Sequence, residues 1–173
     1  MKTKKIAYLS LLTSVGIALH IIESFIPVPI QGAPGAKLGL ANIVNLITLV
    51  VFGFKEALVV AVLRCFVGTL GTGAVTGFFY SLAGALASTV VMFIVYKLGS
   101  KKFSLIGVSI FGALSHNIAQ LTVASLMINN VLIFSYLPVM MLVSLFTGYF
   151  VGLTANYGSI HLKNILPKTE SKY

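Results

Sequence analysis

Long apolar runs separated by short polar breaks dominate the chain up to about residue 157. A transmembrane helix needs about 20 apolar residues to cross a hydrocarbon core about 30 Å thick. Six runs approach that length, and the chain between them contains Pro, Gly, Asn or Lys. We therefore predict an all-α integral membrane protein with a single transmembrane domain, residues 1–173. The predicted helices cover residues 6–26, 37–54, 57–70, 78–98, 105–128 and 132–157, followed by a polar tail.

The first run follows Lys2, Lys4 and Lys5, an arrangement that also begins secretory signal peptides. Signal peptides have an apolar region of about 7–15 residues and a small-residue cleavage site. This run continues to Ile26 and contains no clear Ala-x-Ala site. We therefore expect an uncleaved first transmembrane helix.

Basic residues occupy alternate breaks between the apolar runs. With six spans, these breaks and both chain ends lie on the same side of the membrane, and only Lys37 and Arg64 depart from the pattern. Cytoplasmic loops of membrane proteins carry an excess of Lys and Arg. The pattern predicts a multi-pass protein of the cell membrane with both termini in the cytoplasm.

Composition supports a membrane protein and excludes a nucleic-acid-binding one. The chain is 58% hydrophobic and 9% charged, whereas soluble domains carry about 25% charged residues. The net charge of +9 comes from basic residues at the ends of apolar runs, so it reflects membrane orientation. The single cysteine, Cys65, cannot form an internal disulfide, and we expect it to be a small buried residue.

Polar side chains inside the predicted spans are the candidates for function, because ionisable groups in a membrane are energetically costly unless they are paired or face a cavity. At about 1.5 Å per residue, Arg64 and His116 lie near the midplane and the others in the outer half. We predict an outward-opening substrate site; the alternative is a structural network in which Arg64 pairs with Glu23. The predicted substrate-binding residues are His20, Glu23, Lys37, Asn42, Asn45, Arg64, His116, Asn117 and Gln120.

Two glycine-rich segments, residues 31–35 and 71–77, adjoin the predicted mouth of this site. Uncharged flexible loops in such a place can act as lids. Glycine also serves simply to make tight turns, so both interpretations remain open from the sequence.

The first helix has two distinct faces. Ala7, Ser10, Ser14 and Ala18 form a stripe of small residues at helical spacing, while Gly16, His20 and Glu23 lie on roughly the opposite side. Small stripes let another helix approach closely within a membrane. We predict that the stripe is a partner interface; internal packing is the alternative.

Residues for several kinds of chemistry are missing from the sequence. It contains no P-loop, no CxxC motif and no aspartate, and its acids are Glu23, Glu56 and Glu170. Enzymes that condense isoprenoid diphosphates hold Mg²⁺ through clusters of carboxylates, since this cation prefers oxygen ligands. We predict no catalytic residues, no metal site and no cofactor, and hence no enzyme.

Three motifs resemble a known family. They are Pro34-Gly-Ala-Lys-Leu-Gly-Leu-Ala-Asn-Ile43, Leu63-Arg64, and Ser115-His-Asn-Ile-Ala-Gln-Leu121. They look like the family called heptaprenyl diphosphate synthase component I, or the Gx transporter family, over essentially the whole chain. The architecture is also similar to the substrate-binding (S) subunits of energy-coupling factor transporters. That resemblance implies six helices, an outward-facing site, and docking of Ser10, Ser14 and Ala18 on a transmembrane coupling subunit driven by two ATPases.

These features predict a solute-binding membrane subunit of an uptake system. The solute would enter from outside and have a polar or anionic head on an isoprenoid-, quinone-precursor- or vitamin-like body. The alternative is a non-transporting accessory subunit of isoprenoid or menaquinone synthesis, or of a membrane redox assembly.

Overall fold

The computed structural model describes residues 2–26, 37–73, 75–99 and 102–166. These residues form six α-helices and a short 3₁₀ helix, with no strand in the described ranges, as the all-α prediction requires. The helices are α1 Lys2–Ser24, α2 Asn42–Val51, α3 Phe54–Thr72, α4 Val75–Gly99, α5 Leu105–Ile128 and α6 Leu137–Ile165; the 3₁₀ helix Val131–Tyr136 precedes α6.

Four segments of the described chain are long and apolar enough to cross a membrane. They are Thr3–Ser24, Val75–Gly99, Leu105–Ile128 and Val131–Ile165. The other two helices differ from these in length or charge: α2 has 10 residues, and α3 has 19 residues that include three charged side chains. By length and composition, the described chain is that of a membrane protein with four candidate spans among its six helices.

The second predicted helix is much shorter than expected. It begins at Asn42 rather than residue 37, because Gly39 has a φ of +82° and interrupts the helix before it starts. Its end also moves, since Gly53 adopts a φ of +106° and α3 begins at Phe54 instead of residue 57. The sequence pattern joined residues 37–41 to α2 because they are mostly apolar.

Most of the remaining boundaries lie within four residues of the predicted ones, but α6 begins at Leu137 rather than residue 132 because the 3₁₀ helix precedes it. Two further corrections concern predicted non-helical segments. The predicted loop at residues 71–77 is largely helical, because α3 continues to Thr72 and α4 starts at Val75; it is no long lid. The predicted polar tail is partly helical too, since α6 extends to Ile165. The other proposed lid, residues 31–35, lies outside the described residues.

One end of the bundle holds the main apolar core. It combines the start of α1, the end of α2, the starts of α3 and α5, and the ends of α4 and α6. An ion pair of 2.5 Å between Lys5 and Glu56 joins the starts of α1 and α3 at this end. Cys65 is fully buried further along α3, against Ala61 and Ala85. The helices therefore alternate in direction, and the basic residues near these helix ends share one end of the bundle.

Small residues let α5 and α6 pack closely. A Cβ atom added at Gly148 would lie 2.8 Å from the Cα atom of Ile110, and one at Gly152 would lie 2.5 Å from that of Ile106. Such contacts between backbones are typical of helix pairs in membranes. They hold α5, which carries three of the predicted site residues, in a fixed position.

Candidate functional site

Nearly all the predicted site residues are buried in the half of the bundle opposite the apolar core. Each is at most 4% exposed except Lys37, which is partly exposed. The fully buried set is His20, Glu23, Asn42, Asn45, Arg64, His116, Asn117 and Gln120. Their burial requires partners, because an unpaired polar group away from water costs several kcal/mol.

Arg64 lies at the centre and is held by neutral groups. Its Nε donates to Asn45 Oδ1 at 3.1 Å, and its Nη2 donates to Asn42 Oδ1 at 2.9 Å. No carboxylate lies within 4 Å of it in the described part of the chain, where the ion pair found is Lys5–Glu56. The Arg64–Glu23 pair, considered as an alternative, is therefore not formed. The hydrogen-bond partners of the guanidinium among these residues are neutral amide oxygens.

The two asparagines of α2 connect Arg64 to α4 and α5. Asn45 Nδ2 donates to Thr89 Oγ1 at 3.1 Å, and Ser88 Oγ donates to Asn42 Oδ1 at 3.3 Å. Asn42 Nδ2 lies 3.3 Å from His116 Nδ1. The first turn of α2 is therefore the point where four helices exchange hydrogen bonds.

A second tier surrounds the non-helical residues before α2. Glu23 accepts from the backbone N–H groups of Gly39 and Leu40. Gln120 Oε1 accepts from the backbone N–H of Lys37 at 3.4 Å, and Lys37 Nζ lies 2.7 Å from His20 Nε2. Side chains of α1 and α5 thus satisfy backbone groups that no helix satisfies.

Both histidine rings pack on glycines. A Cβ at Gly68 would lie 2.4 Å from His20 Cδ2, and one at Gly84 would lie 2.7 Å from His116 Nδ1. The rings occupy the space that a larger residue on α3 or α4 would fill. A Cβ at Gly16 would lie 3.2 Å from Arg64 Cδ, so α1 also approaches the cluster closely.

Asn117 does not join this cluster. Its Nδ2 donates to Ser144 Oγ at 2.6 Å and to the Met140 carbonyl at 3.1 Å, which ties α5 to α6. The prediction grouped Asn117 with the site because of its depth and its neighbours in sequence. Its position on the helix directs it to a different neighbour.

Ser88 and Thr89 were missed by the sequence analysis, as were the glycines beneath the histidines. Hydroxyl groups in apolar helices commonly bond to their own backbone. Thr89 donates to the carbonyl of Ala85, and Ser88 shares its one hydrogen between that carbonyl and Asn42. The sequence signal is weak: two adjacent hydroxyl residues one turn after Gly84 on α4.

Two buried nitrogen atoms of α5 have no hydrogen-bond partner in the described structure: His116 Nε2 and Gln120 Nε2. The described residues contain no group of three or more His, Cys, Asp or Glu side chains that could hold a metal ion. The cluster offers many N–H donors and one carboxylate, which is already used. Its chemistry suits an anionic or strongly polar ligand.

The small-residue stripe of α1 faces outward. Ala7, Ser10, Ser14 and Ala18 are all exposed, whereas Gly16, His20 and Glu23 on the other face are buried. Internal packing within the described chain therefore does not account for the stripe. A groove of about 380 Å³ runs beside it, between α1 and α3.

Comparison with known proteins identifies a family. Neither curated proteins nor solved structures gave a match to the chain. A sequence model of the family described as heptaprenyl diphosphate synthase component I matches residues 12–158, which include every residue of the buried cluster. Since this match spans most of the 173 residues, the chain belongs to the heptaprenyl diphosphate synthase component I family.

Proposed function

We propose that the chain is the membrane-embedded substrate-binding subunit of an energy-coupling factor type uptake transporter. In this proposal all six helices span the membrane and both termini are cytoplasmic. The subunit binds a small amphipathic solute with an anionic or strongly polar head from outside. The observation that carries the proposal is Arg64, buried to 2% exposure with no carboxylate within 4 Å among the described residues.

A charge near the membrane midplane costs at least about 2.5 kcal/mol even on the most lenient scale. Amide oxygens of Asn42 and Asn45 reduce this cost but supply no opposite charge. An anionic solute would supply it. The apolar residues around the cluster suit an isoprenoid-, quinone-precursor- or vitamin-like body.

We further propose that the chain binds its solute without chemical change, so that it is not an enzyme and needs no cofactor. Release to the cytoplasm would follow ATP-driven reorientation by a transmembrane coupling subunit and two ATPases. The exposed stripe of α1 supports a helical partner in the membrane, since its small side chains allow close approach.

A second candidate function is a non-transporting accessory subunit of isoprenoid or menaquinone synthesis, or of a membrane redox assembly. The family description favours the isoprenoid version of this function. It predicts a soluble prenyl synthase, and no coupling ATPase, in the purified complex.

The test is native mass spectrometry of the protein extracted gently from its own membrane. We expect a retained small molecule with a polar or anionic head. In Arg64→Gln the occupied fraction should fall at least tenfold, while Lys102→Gln, a change at an exposed cation near the basic end, leaves it unchanged. Wild-type protein with no retained molecule but with a bound prenyl synthase would contradict the transport proposal and support the accessory one.

A further inference from the structure

The hydrogen bonds around Asn42 fix the proton position on His116. Asn42 Oδ1 accepts from Arg64, so the amide nitrogen is the group that faces His116 Nδ1 at 3.3 Å. An amide NH₂ only donates, so Nδ1 must accept. With Nδ1 as the acceptor, His116 is a neutral imidazole that carries its hydrogen on Nε2. The ring also faces the Gly84 backbone, but Nε2 makes no hydrogen bond of regular geometry within the described residues.

Gln120 is oriented in the same manner. Its Oε1 accepts from the backbone N–H of Lys37, which places the two amide hydrogens on the other side. Gln120 Nε2 is buried and lacks a partner within the described ranges. Residues four apart on a helix lie on one face, with Cβ atoms about 5–6 Å apart. His116 and Gln120 thus form a pair of unused donors on one face of α5.

Both donors lie against the segment before α2. A Cβ added at Gly39 would lie 3.8 Å from His116 Nε2, and Gln120 contacts Lys37 two residues earlier. Buried donors without acceptors are rare in native proteins, because each costs about 1–3 kcal/mol. The pair therefore points to an acceptor supplied by a ligand.

The charges of the cluster limit which acceptor fits. Lys37 Nζ lies 2.7 Å from His20 Nε2, so an ammonium there needs the lone pair of a neutral imidazole. Lys37 and Glu23 are one base and one acid, so their charges cancel when both are ionised and are absent when both are neutral. With both histidines neutral, Arg64 then leaves the cluster with a net charge of +1, which matches a ligand with one negative charge. A diphosphate would leave an excess of buried negative charge, which is costly.

Building on the proposed function, we propose that the solute is an amphipathic monocarboxylate. Its oxygens accept from His116 Nε2–H and Gln120 Nε2–H, and its charge is balanced by Arg64. The site discriminates against diphosphate heads, for which the charge is wrong, and against alcohols, which leave the positive charge unbalanced.

The test uses probes that share a tail and differ in the head. Geranic acid, geranyl diphosphate and geraniol form one set; 4-phenylbutyrate, 4-phenylbutyl diphosphate and 4-phenylbutanol form the other. Binding to the purified full chain in nanodiscs is measured by the shift in melting temperature and by titration. We expect at least one carboxylate to bind tenfold or more tightly than its own diphosphate and alcohol.

Two variants test the donors. Gln120→Glu keeps an acceptor for the Lys37 N–H but replaces the free donor by a charged oxygen, and should weaken carboxylate binding at least tenfold. His116→Gln should reduce the preference for carboxylate over alcohol. His161→Gln is the control, since it replaces an exposed histidine of α6 by glutamine. It should change neither the affinity for carboxylate nor the preference for carboxylate over alcohol.

The outcomes separate the two proposals. A diphosphate or alcohol that binds as tightly as its carboxylate, or unchanged binding in both α5 variants, overturns the monocarboxylate inference while a solute site remains. Failure of all six probes to bind the folded protein overturns the inference together with the amphipathic-solute function. Selective carboxylate binding that is lost in Gln120→Glu supports both.

Discussion

Glu23 is buried in the same half of the bundle as Arg64, yet its carboxylate is bonded to the backbone of Gly39 and Leu40. The segment before α2 is partly buried, with Gly39 buried, and backbone N–H groups that are withdrawn from water and outside a helix need a side chain to accept from them. A carboxylate makes such bonds about twice as strong as a neutral acceptor does. Glu23 therefore acts on the shape of the segment before α2.

We predict that Glu23→Gln destabilises the protein by about 1–3 kcal/mol, because a buried hydrogen-bonding group is weakened. Thermal unfolding in detergent would measure this change. Glu56→Gln is the matched control: it makes the same substitution in the ion pair with Lys5, and partly exposed pairs contribute only about 0–1 kcal/mol.

The double variant Glu23→Gln with Arg64→Gln separates this role from ion pairing. Without a direct pair, the two effects should add within about 0.5 kcal/mol. Recovery of stability in the double variant would mean that Glu23 neutralises Arg64 across the cluster, contrary to the hydrogen bonds described.

Burial of these residues was predictable from the sequence, but their pairing was not. Amide and charged side chains are rare in the apolar runs, so their position inside a predicted span was enough to predict that they avoid lipid and are buried. The partner of Glu23 depended on the left-handed backbone of Gly39, and a glycine between apolar residues does not reveal its φ. Asn117 shows the same limit. It directly follows His116 on α5, but His116 faces the cluster and Asn117 faces α6.

At the scale of elements, α1 divides its two faces between different tasks. The buried face carries Gly16, His20 and Glu23, and the exposed face carries the small stripe. This division was predicted from helical spacing, which is reliable in a helix that runs unbroken from Lys2 to Ser24. The shortening of α2 was not predicted. Hydropathy does not distinguish an apolar helix from an apolar non-helical segment whose backbone groups are hydrogen-bonded to side chains.

We predict that Ser14→Leu disrupts association with the transmembrane coupling subunit, because a large side chain prevents close approach of a second helix. Co-purification of the complex and the melting temperature of the isolated subunit would both be measured. The isolated subunit should fold normally, since Ser14 is exposed and bonds only to the carbonyl of Ser10 in the described structure.

Thr154→Leu is the control, since it adds the same side chain at an exposed hydroxyl residue of α6. It should leave the complex intact. If Ser14→Leu leaves association unchanged, the stripe is not the docking surface.

At the scale of the whole molecule, the two ends of the bundle differ in chemistry. One end has the apolar core and the Lys5–Glu56 pair, and the other has the buried polar cluster. The alternating apolar runs predicted this arrangement, because six antiparallel helices place every second break at the same end. The orientation of the bundle in the membrane rests on the basic residues alone.

We predict that a cysteine at Lys102 reacts with a membrane-impermeant thiol reagent only after cells are opened, because that end is cytoplasmic. A cysteine at Leu132, 77% exposed between α5 and α6, should react in intact cells. Cys65→Ala provides the background, since the natural cysteine is buried. Labelling of Lys102→Cys in intact cells would reverse the proposed orientation.

The shortness of α2 has an electrical consequence. Its 10 residues span about 15 Å, half of a hydrocarbon core about 30 Å thick. In the proposed orientation, the first turn of α2 and the Arg64 side chain bonded to it lie about halfway through that core. A monoanion that binds there from outside crosses about half of the membrane voltage, whose full drop is worth about 2.3 kcal/mol per charge at 100 mV. Because the anion cancels the net positive charge of the site, the loaded site would move through the field without net charge, and the voltage would act on the return of the empty site.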